Sequence, residues 1–214
     1  MDALEKQGVI TPICASNHAS PVVWVAKKNN RYRMCVDFKS TLNGNIKSDA
    51  YPLPTIEEVF AKIGNSCIFA KVDLKSAYWQ IGLDEKAKNV SVINTSKGLY
   101  RLNRLQMGMK NASAIFQKCI EQITKGIPGI VVYQDDVMIC ADSNNQLKQH
   151  SKLLMNRLKE RNVTVNAEKC ISNTSTLTFL GHTFSSEGIK PDKSLVRKWC
   201  LFPNLEIKKN FTVF

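Results

Sequence analysis

With 214 residues, 43% of them hydrophobic and 22% charged, the chain can bury a substantial core and does not have a disordered composition. Lys and Arg number 30 against 18 Asp and Glu, and the resulting +12 charge points to a polyanionic partner or an anionic membrane surface. No run approaches the ~18 apolar residues of a membrane span, and Met1 to Lys6 lacks the basic start and apolar core of a secretory signal.

These exclusions leave an expectation of an intracellular, cytoplasmic protein that uses no membrane, with nucleic acid as the favoured polyanion. Seven cysteines, an odd count spread singly without Cys-x-x-Cys spacing, argue against both a zinc site and a disulfide framework. Several lie in apolar runs, where a reduced cysteine packs as a small hydrophobe.

Residues 2–7 read as the end of a short helix, followed by a loop containing Pro12, Asn17 and Pro21. Val22 to Lys28 and Tyr32 to Phe38 read as strands joined through Asn29-Asn30, a hairpin signal. Lys27, Lys28, Arg31 and Arg33 cluster at its tip, either as a solvated edge or as a flap offering cations to a phosphate. Thr55 and Glu58 form a capping-box pattern for a helix from Ile56 to Ile63 that ends at Gly64. Cys67 to Val72 is an apolar strand running into Asp73, and Lys75 to Ile81 turns helical. Val90 to Asn94 and Leu99 to Leu105 read as strands.

Asn111 is placed to cap a helix whose apolar face includes Ile115, Cys119, Ile120 and Ile123, with Gly126 ending it. Ile130 to Cys140 reads as two apolar strands around a tight turn that carries Asp135 and Asp136. Ser143 opens an amphipathic helix to about Arg161, with Leu147, Leu154 and Leu158 on one face. Val163 to Val165 and Leu177 to Phe184 supply further strands, with Gly181 and Gly188 near turns, and the pattern weakens from Pro191. Helices and strands alternate irregularly, which predicts an α+β sheet with helices on one face.

Asp73 and the Asp135-Asp136 pair share one context, a carboxylate at the end of an apolar strand. On the hairpin alone, two acids are equally well explained as solvated turn formers. Burying ionised carboxylates is costly unless they are paired or metal-bound. Lys71 or a distant lysine could serve as partner. If the two strands lie side by side, three acids converge at one sheet edge, and oxygen-only ligation suits Mg²⁺ or Mn²⁺. Two such ions clamp the attacking and leaving oxygens of a phosphoryl displacement.

Tyr133-Gln134-Asp135-Asp136 resembles the Tyr-x-Asp-Asp box of reverse transcriptases, and Lys71 to Ile81 resembles their first aspartate motif. Arg104 to Gln117 resembles the template-positioning motif between these two. Tyr32 to Phe38, Tyr51-Pro52-Leu53-Pro54 and Phe179-Leu180-Gly181-His182 follow the family's order, in wording closest to gypsy-type LTR retrotransposons. The resemblance implies the fingers and palm of a right-hand polymerase over residues 1–200. Residues 201–214 would be the truncated start of a thumb or connection, the thumb being largely absent and processivity correspondingly poor.

The same resemblance implies roles. Asp73 and Asp135 would bind Mg²⁺ or Mn²⁺, with Asp136 completing the acidic site. Lys27, Lys28 and Arg33 would reach the triphosphate of a deoxynucleotide. Tyr78 matches the position whose ring blocks a ribose 2′-hydroxyl, and Met107 and Gly108 would contact nucleotide and template. Lys169 would donate a proton to pyrophosphate, and Leu180, Gly181 and His182 would hold the primer end. The implied partner is an RNA or DNA template-primer duplex. The sequence carries no signal for oligomeric state.

Three stretches depart from the family's wording. Gln106-Met107-Gly108 stands for Pro-Phe-Gly, Asn111-Ala112-Ser113 for Asn-Ala-Pro, and Gln134 for a usually apolar residue. Losing the prolines loosens a turn and a helix start without removing a ligand. The alternative readings are a catalytically silent remnant that only binds nucleic acid, and a nucleotide cyclase. The template motif argues against the cyclase.

Overall fold

The computed structural model describes residues 1–26, 32–49 and 51–192. Lys27, Lys28, Arg31 and the Asn29-Asn30 turn lie outside the described residues. In chain order the first elements are α1 (Asp2–Lys6), β1 (Ile10–Ile13), β2 (Ser20–Ala26), β3 (Tyr32–Val36) and α2 (Ile56–Ile63). They are followed by β4 (Ile68–Asp73), α3 (Glu85–Val90), β5 (Val92–Thr95), β6 (Gly98–Leu102) and α4 (Ala112–Thr124). The last are β7 (Ile130–Tyr133), β8 (Asp136–Ala141), α5 (Asn144–Glu160), β9 (Ile171–Thr174), β10 (Thr176–Phe179), β11 (His182–Ser185) and β12 (Gly188–Pro191).

Local signals account for most of these boundaries. Both bonds of the Thr55–Glu58 capping box form at the start of α2, and Gly64 ends it with φ 56°. Ser143 caps α5 by accepting from the Gln146 N–H, and Leu147, Leu154 and Leu158 are its buried face. Four elements escaped the sequence pattern, β9 and β12 among them. β1 contains Pro12 and reads as loop, yet it pairs only with β6 at the edge of its sheet, where a missing donor is harmless. α3 forms because the Asp84 side chain accepts from the Ala87 N–H at 2.7 Å, so the strand expected from Val90 begins at Val92.

Among the described residues the strands form three sheets, in the orders β1-β6-β5-β2-β3, β7-β8-β4-β9 and β10-β11-β12. The four-stranded sheet is antiparallel throughout and carries all three acids. Its two faces follow from strand alternation. Ala70, Val72, Val132, Val137 and Ile139 lie in the main core with α4 and α5. Phe69, Val131, Met138 and Cys140 form a second core with Val59 and Ile63 of α2 and with Phe179 and Phe184. The two long helices therefore share one face, as expected, and the short α2 covers the other. Val163 to Val165 contributes a single bridge, Leu74 to Val165, and not a strand. No helix among the described residues is long and apolar enough to cross a membrane.

Candidate active site

β4 and β8 run antiparallel with Asp73 opposite Asp136, and β7 pairs with β8 so that Tyr133 is also opposite Asp136. Directly opposed residues project to one face with Cα atoms about 4.5–5.5 Å apart, so Asp73 and Asp136 lie side by side. Asp135 occupies the turn next to them and is exposed, while Asp73 and Asp136 are half-buried. Lys71, two residues before Asp73, is on the same face, and its Nζ lies 2.6 Å from Asp136 Oδ1. Among the described residues the Asp73 and Asp135 carboxylates have no ion-pair or hydrogen-bond partner.

Free carboxylate oxygens at one sheet edge are a donor set that fits Mg²⁺ or Mn²⁺. Among the described residues no three His, Cys, Asp or Glu side chains are gathered into a ready-made cation cage. The fit therefore rests on donor chemistry and strand register.

The turn itself is strained. Gln134 has φ 53°, in the left-handed region, while Asp135 does not, the sign pattern of a type II′ hairpin turn that favours glycine at the first position. Its N–H donates to Gln117 Oε1 at 2.7 Å, and Gln117 Nε2 donates to the Val132 carbonyl at 3.1 Å. Gln117 is wholly buried on α4. It escaped the sequence reading, and the available signal was a polar residue three positions after Ala114 and three before Ile120, within an apolar stripe. Asn166 also escaped it: its N–H donates to the Asp73 carbonyl at 2.8 Å and ties the loop carrying Lys169 to the end of β4.

The other expected residues fall in different surroundings. Tyr78 is packed, 6% exposed, with its ring 5.2 Å from that of Phe116 and its hydroxyl 3.3 Å from Ser113 Oγ. Met107 is exposed, and Gly108 has φ 96°, a conformation suited to glycine, with its carbonyl accepting from Asn43 Nδ2 at 2.9 Å. Gln106, at a departure from the family wording, is buried and accepts from Trp79 Nε1 at 2.9 Å. Asn111 stands at the N-cap position of α4 without capping it. Its side chain donates to the Lys47 carbonyl at 2.8 Å and accepts from the Asp49 N–H at 3.0 Å.

Lys169 is exposed on a 3-10 turn. Leu180 and Gly181, φ 49° and 75°, form the tight turn between β10 and β11, and the His182 ring meets Phe60 edge-on at 5.1 Å. Arg33 is exposed on β3, opposite Val25. The structure thus sets Asp73 opposite Asp136 with Asp135 in the adjoining turn, and leaves Arg33 on a different sheet.

Residues 25–184 match the family described as reverse transcriptase (RNA-dependent DNA polymerase). This chain belongs to the reverse transcriptase family. It is 39% identical over 197 residues to the Caenorhabditis elegans protein K02A2.6, covering 90% of this chain and 15% of that protein. It is 35% identical over 195 residues to the Tf2-3 transposon polyprotein of Schizosaccharomyces pombe, covering 90% and 14% respectively. It is likewise 35% identical over 204 residues to the Pol polyprotein of the Drosophila melanogaster transposon opus, covering 92% and 20%. The chain thus spans at most a fifth of the length of these curated relatives.

Among solved structures, the foamy viral protease-reverse transcriptase in complex with double-stranded DNA superposes with a TM-score of 0.85 at 21% identity, over 92% of this chain and 34% of that one. A prototype foamy virus protease-reverse transcriptase mutant gives 0.78 at 27% identity, over 86% and 25%. These likenesses establish the α+β reverse transcriptase fold for the chain. The reverse transcriptase family generally depends on divalent metal.

Proposed function

We propose that residues 1–200 are the fingers and palm of a gypsy-type LTR retrotransposon Pol polyprotein. In this reading they act as an RNA-directed DNA polymerase, adding deoxynucleotides to a primer 3′-hydroxyl. The observation that carries this reading is the register of Asp73 against Asp136, with Asp135 in the adjoining turn. Support for the partner comes from the foamy viral enzymes, solved in complex with double-stranded DNA and with an RNA/DNA hybrid, and from the +12 charge of this chain.

In this reading Asp73 and Asp135 hold Mg²⁺ or Mn²⁺, and Asp136 completes the acidic site. The bound metal supplies Lewis-acid stabilisation of the attacking and leaving oxygens. The protein supplies position and charge. Arg33, with Lys27 and Lys28, binds the triphosphate, where arginine offers a planar fork of donors. Tyr78 closes the space a 2′-hydroxyl would enter, and its packing against Phe116 keeps the ring in place. Met107 and Gly108 contact nucleotide and template. As the 3′-hydroxyl loses its proton to solvent, its oxygen bonds to the α-phosphorus and the bond to pyrophosphate breaks. Lys169 gives the departing pyrophosphate a proton. The turn of Leu180, Gly181 and His182 holds the primer end. An intracellular, cytoplasmic place of action is in keeping with the seven singly spaced cysteines of the sequence.

Primer extension on poly(rA)/oligo(dT) with Mg²⁺ or Mn²⁺ tests the reading. Extension by this chain, abolished in Asp135→Asn, is expected. Nucleic-acid binding without extension, both here and in a version lengthened by a family thumb, would replace polymerase with a silent binding remnant.

A further inference from the structure

A line of polar contacts reaches the acidic turn from the far side of α4. It starts at Tyr51, in the segment between the fingers strands and α2. The Tyr51 hydroxyl donates to Glu121 Oε2, and Lys118 Nζ lies 5.9 Å from the centre of the Tyr51 ring. Glu121 Oε1 accepts from Gln117 Nε2 at 2.7 Å. Gln117 then grips both sides of the turn, through the Val132 carbonyl and the Gln134 N–H. The segment that carries Tyr51 is itself fastened to the start of α4 by Asn111, through the Lys47 carbonyl and the Asp49 N–H.

The chemistry gives this line a direction. An ionised carboxylate only accepts, so Glu121 draws the amide nitrogen of Gln117 towards itself and towards the Val132 carbonyl. That leaves the amide oxygen of Gln117 facing the Gln134 N–H. Tyr51, donating to the second carboxylate oxygen, fixes the Glu121 rotamer. A left-handed φ at Gln134 persists only where its surroundings over-determine it, and a buried side-chain amide is the group that can donate and accept on opposite sides of one turn.

We propose that Gln117, Glu121 and Tyr51 are positioning residues of the site, holding the Gln134-Asp135 turn in the geometry that presents Asp135 and Asp136 to a divalent cation. The proposal rests on the metal reading above and adds the residues that make it work at a distance.

The test uses the whole chain without nucleic acid. Mn²⁺ binding is followed by electron paramagnetic resonance, and amide exchange over residues 130–138 reports the turn directly. Gln117→Leu is expected to weaken Mn²⁺ binding about 10–100-fold, the usual effect of removing an outer-shell partner. Tyr51→Phe, on a half-buried connector, is expected to weaken it about 3-fold with an unchanged unfolding midpoint, and to speed exchange at Gln134. Glu121→Gln should fall between them, since an amide has one acceptor oxygen for two donors. The double variant Tyr51→Phe/Gln117→Leu should be no worse than Gln117→Leu alone.

Unchanged Mn²⁺ affinity and exchange in folded Tyr51→Phe, or additive losses in the double variant, would overturn the proposal while leaving the acids as the metal site. If Asp135→Asn itself leaves Mn²⁺ binding intact, the metal reading fails and this proposal with it. Should Gln117→Leu not fold, Tyr51→Phe alone decides.

Discussion

Lys71 and Asp136 are diagonal neighbours on one face of the β4–β8 pair, and their side chains meet at 2.6 Å. Lys71 thereby places a positive charge beside two facing carboxylates, Asp73 and Asp136, where a cation is needed to offset like-charge repulsion. The pair is partly exposed, so its own contribution is modest, about 1 kcal/mol or less.

In the proposed metal reading, Lys71 competes with the cation for Asp136. Lys71→Met is expected to lower the unfolding midpoint of the metal-free chain by no more than about 2–4 °C. Excess Mg²⁺ is expected to raise the midpoint more in the variant than in the unaltered chain, because no ammonium group contests Asp136. Thermal unfolding with and without Mg²⁺ measures both. An equal Mg²⁺ response in the two proteins would show that Lys71 and the metal do not share Asp136.

Gln134 carries left-handed backbone at the first central position of its turn. Gln134→Gly removes the Cβ penalty and keeps the N–H that Gln117 holds. After the extra chain entropy of glycine is set against it, a net gain of about 0.5–1 kcal/mol is expected. It would be read as a higher urea midpoint. A lower midpoint would show that the glutamine side chain, and not the backbone bond, secures the turn.

Tyr78 combines a packing role with a proposed selective one. Tyr78→Phe loses only a 3.3 Å contact to Ser113 and should keep both stability and nucleotide preference. Tyr78→Ala opens a cavity against Phe116, at a cost of about 3–5 kcal/mol. It should also raise ribonucleotide incorporation relative to deoxynucleotide by about 10-fold or more. Paired urea unfolding and single-nucleotide extension would measure these. A folded Tyr78→Ala with unaltered sugar preference would remove Tyr78 from the selection role.

Burial pushes the Cys140 thiol up to about 12. Its folded value therefore lies above the ordinary thiol value near 8.5. The protonated thiol's contribution is complete below about pH 8.5 and declines as pH rises from there towards 12, because the unfolded thiol ionises first. Urea midpoints measured from neutral to alkaline pH should fall more steeply for the unaltered chain than for Cys140→Ala. Native Cys140 should also resist thiol reagents that modify the exposed Cys14 and Cys67. Equal alkaline slopes in the two proteins would contradict a buried, protonated thiol.

Much of the fold was legible along the chain, because caps and apolar periodicity act within about four residues. The Thr55–Glu58 box, the Ser143 cap and the leucine face of α5 form as the local pattern implies. So does the placement of Asp73, Asp135 and Asp136 at strand ends. The family wording around these acids named the chemistry before any contact was visible.

Other features were decided only by tertiary structure, since they join segments that no local rule connects. Asn111 has the residue type and place of a cap, yet the Lys47–Asp49 segment packs against it and takes its hydrogen bonds. Lys71 and Gln117 look ordinary in their own strand and helix. Their roles depend on strand register and helix packing, which set Lys71 against Asp136 and bury Gln117 beneath the turn. The sequence by itself determined that Asp73, Asp135 and Asp136 stand at the ends of apolar strands or in the turn between them. The fold decided that Lys71 pairs with Asp136 and that Gln117 hydrogen-bonds the turn, because burial and hydrogen-bond satisfaction are settled only when distant segments exclude water together.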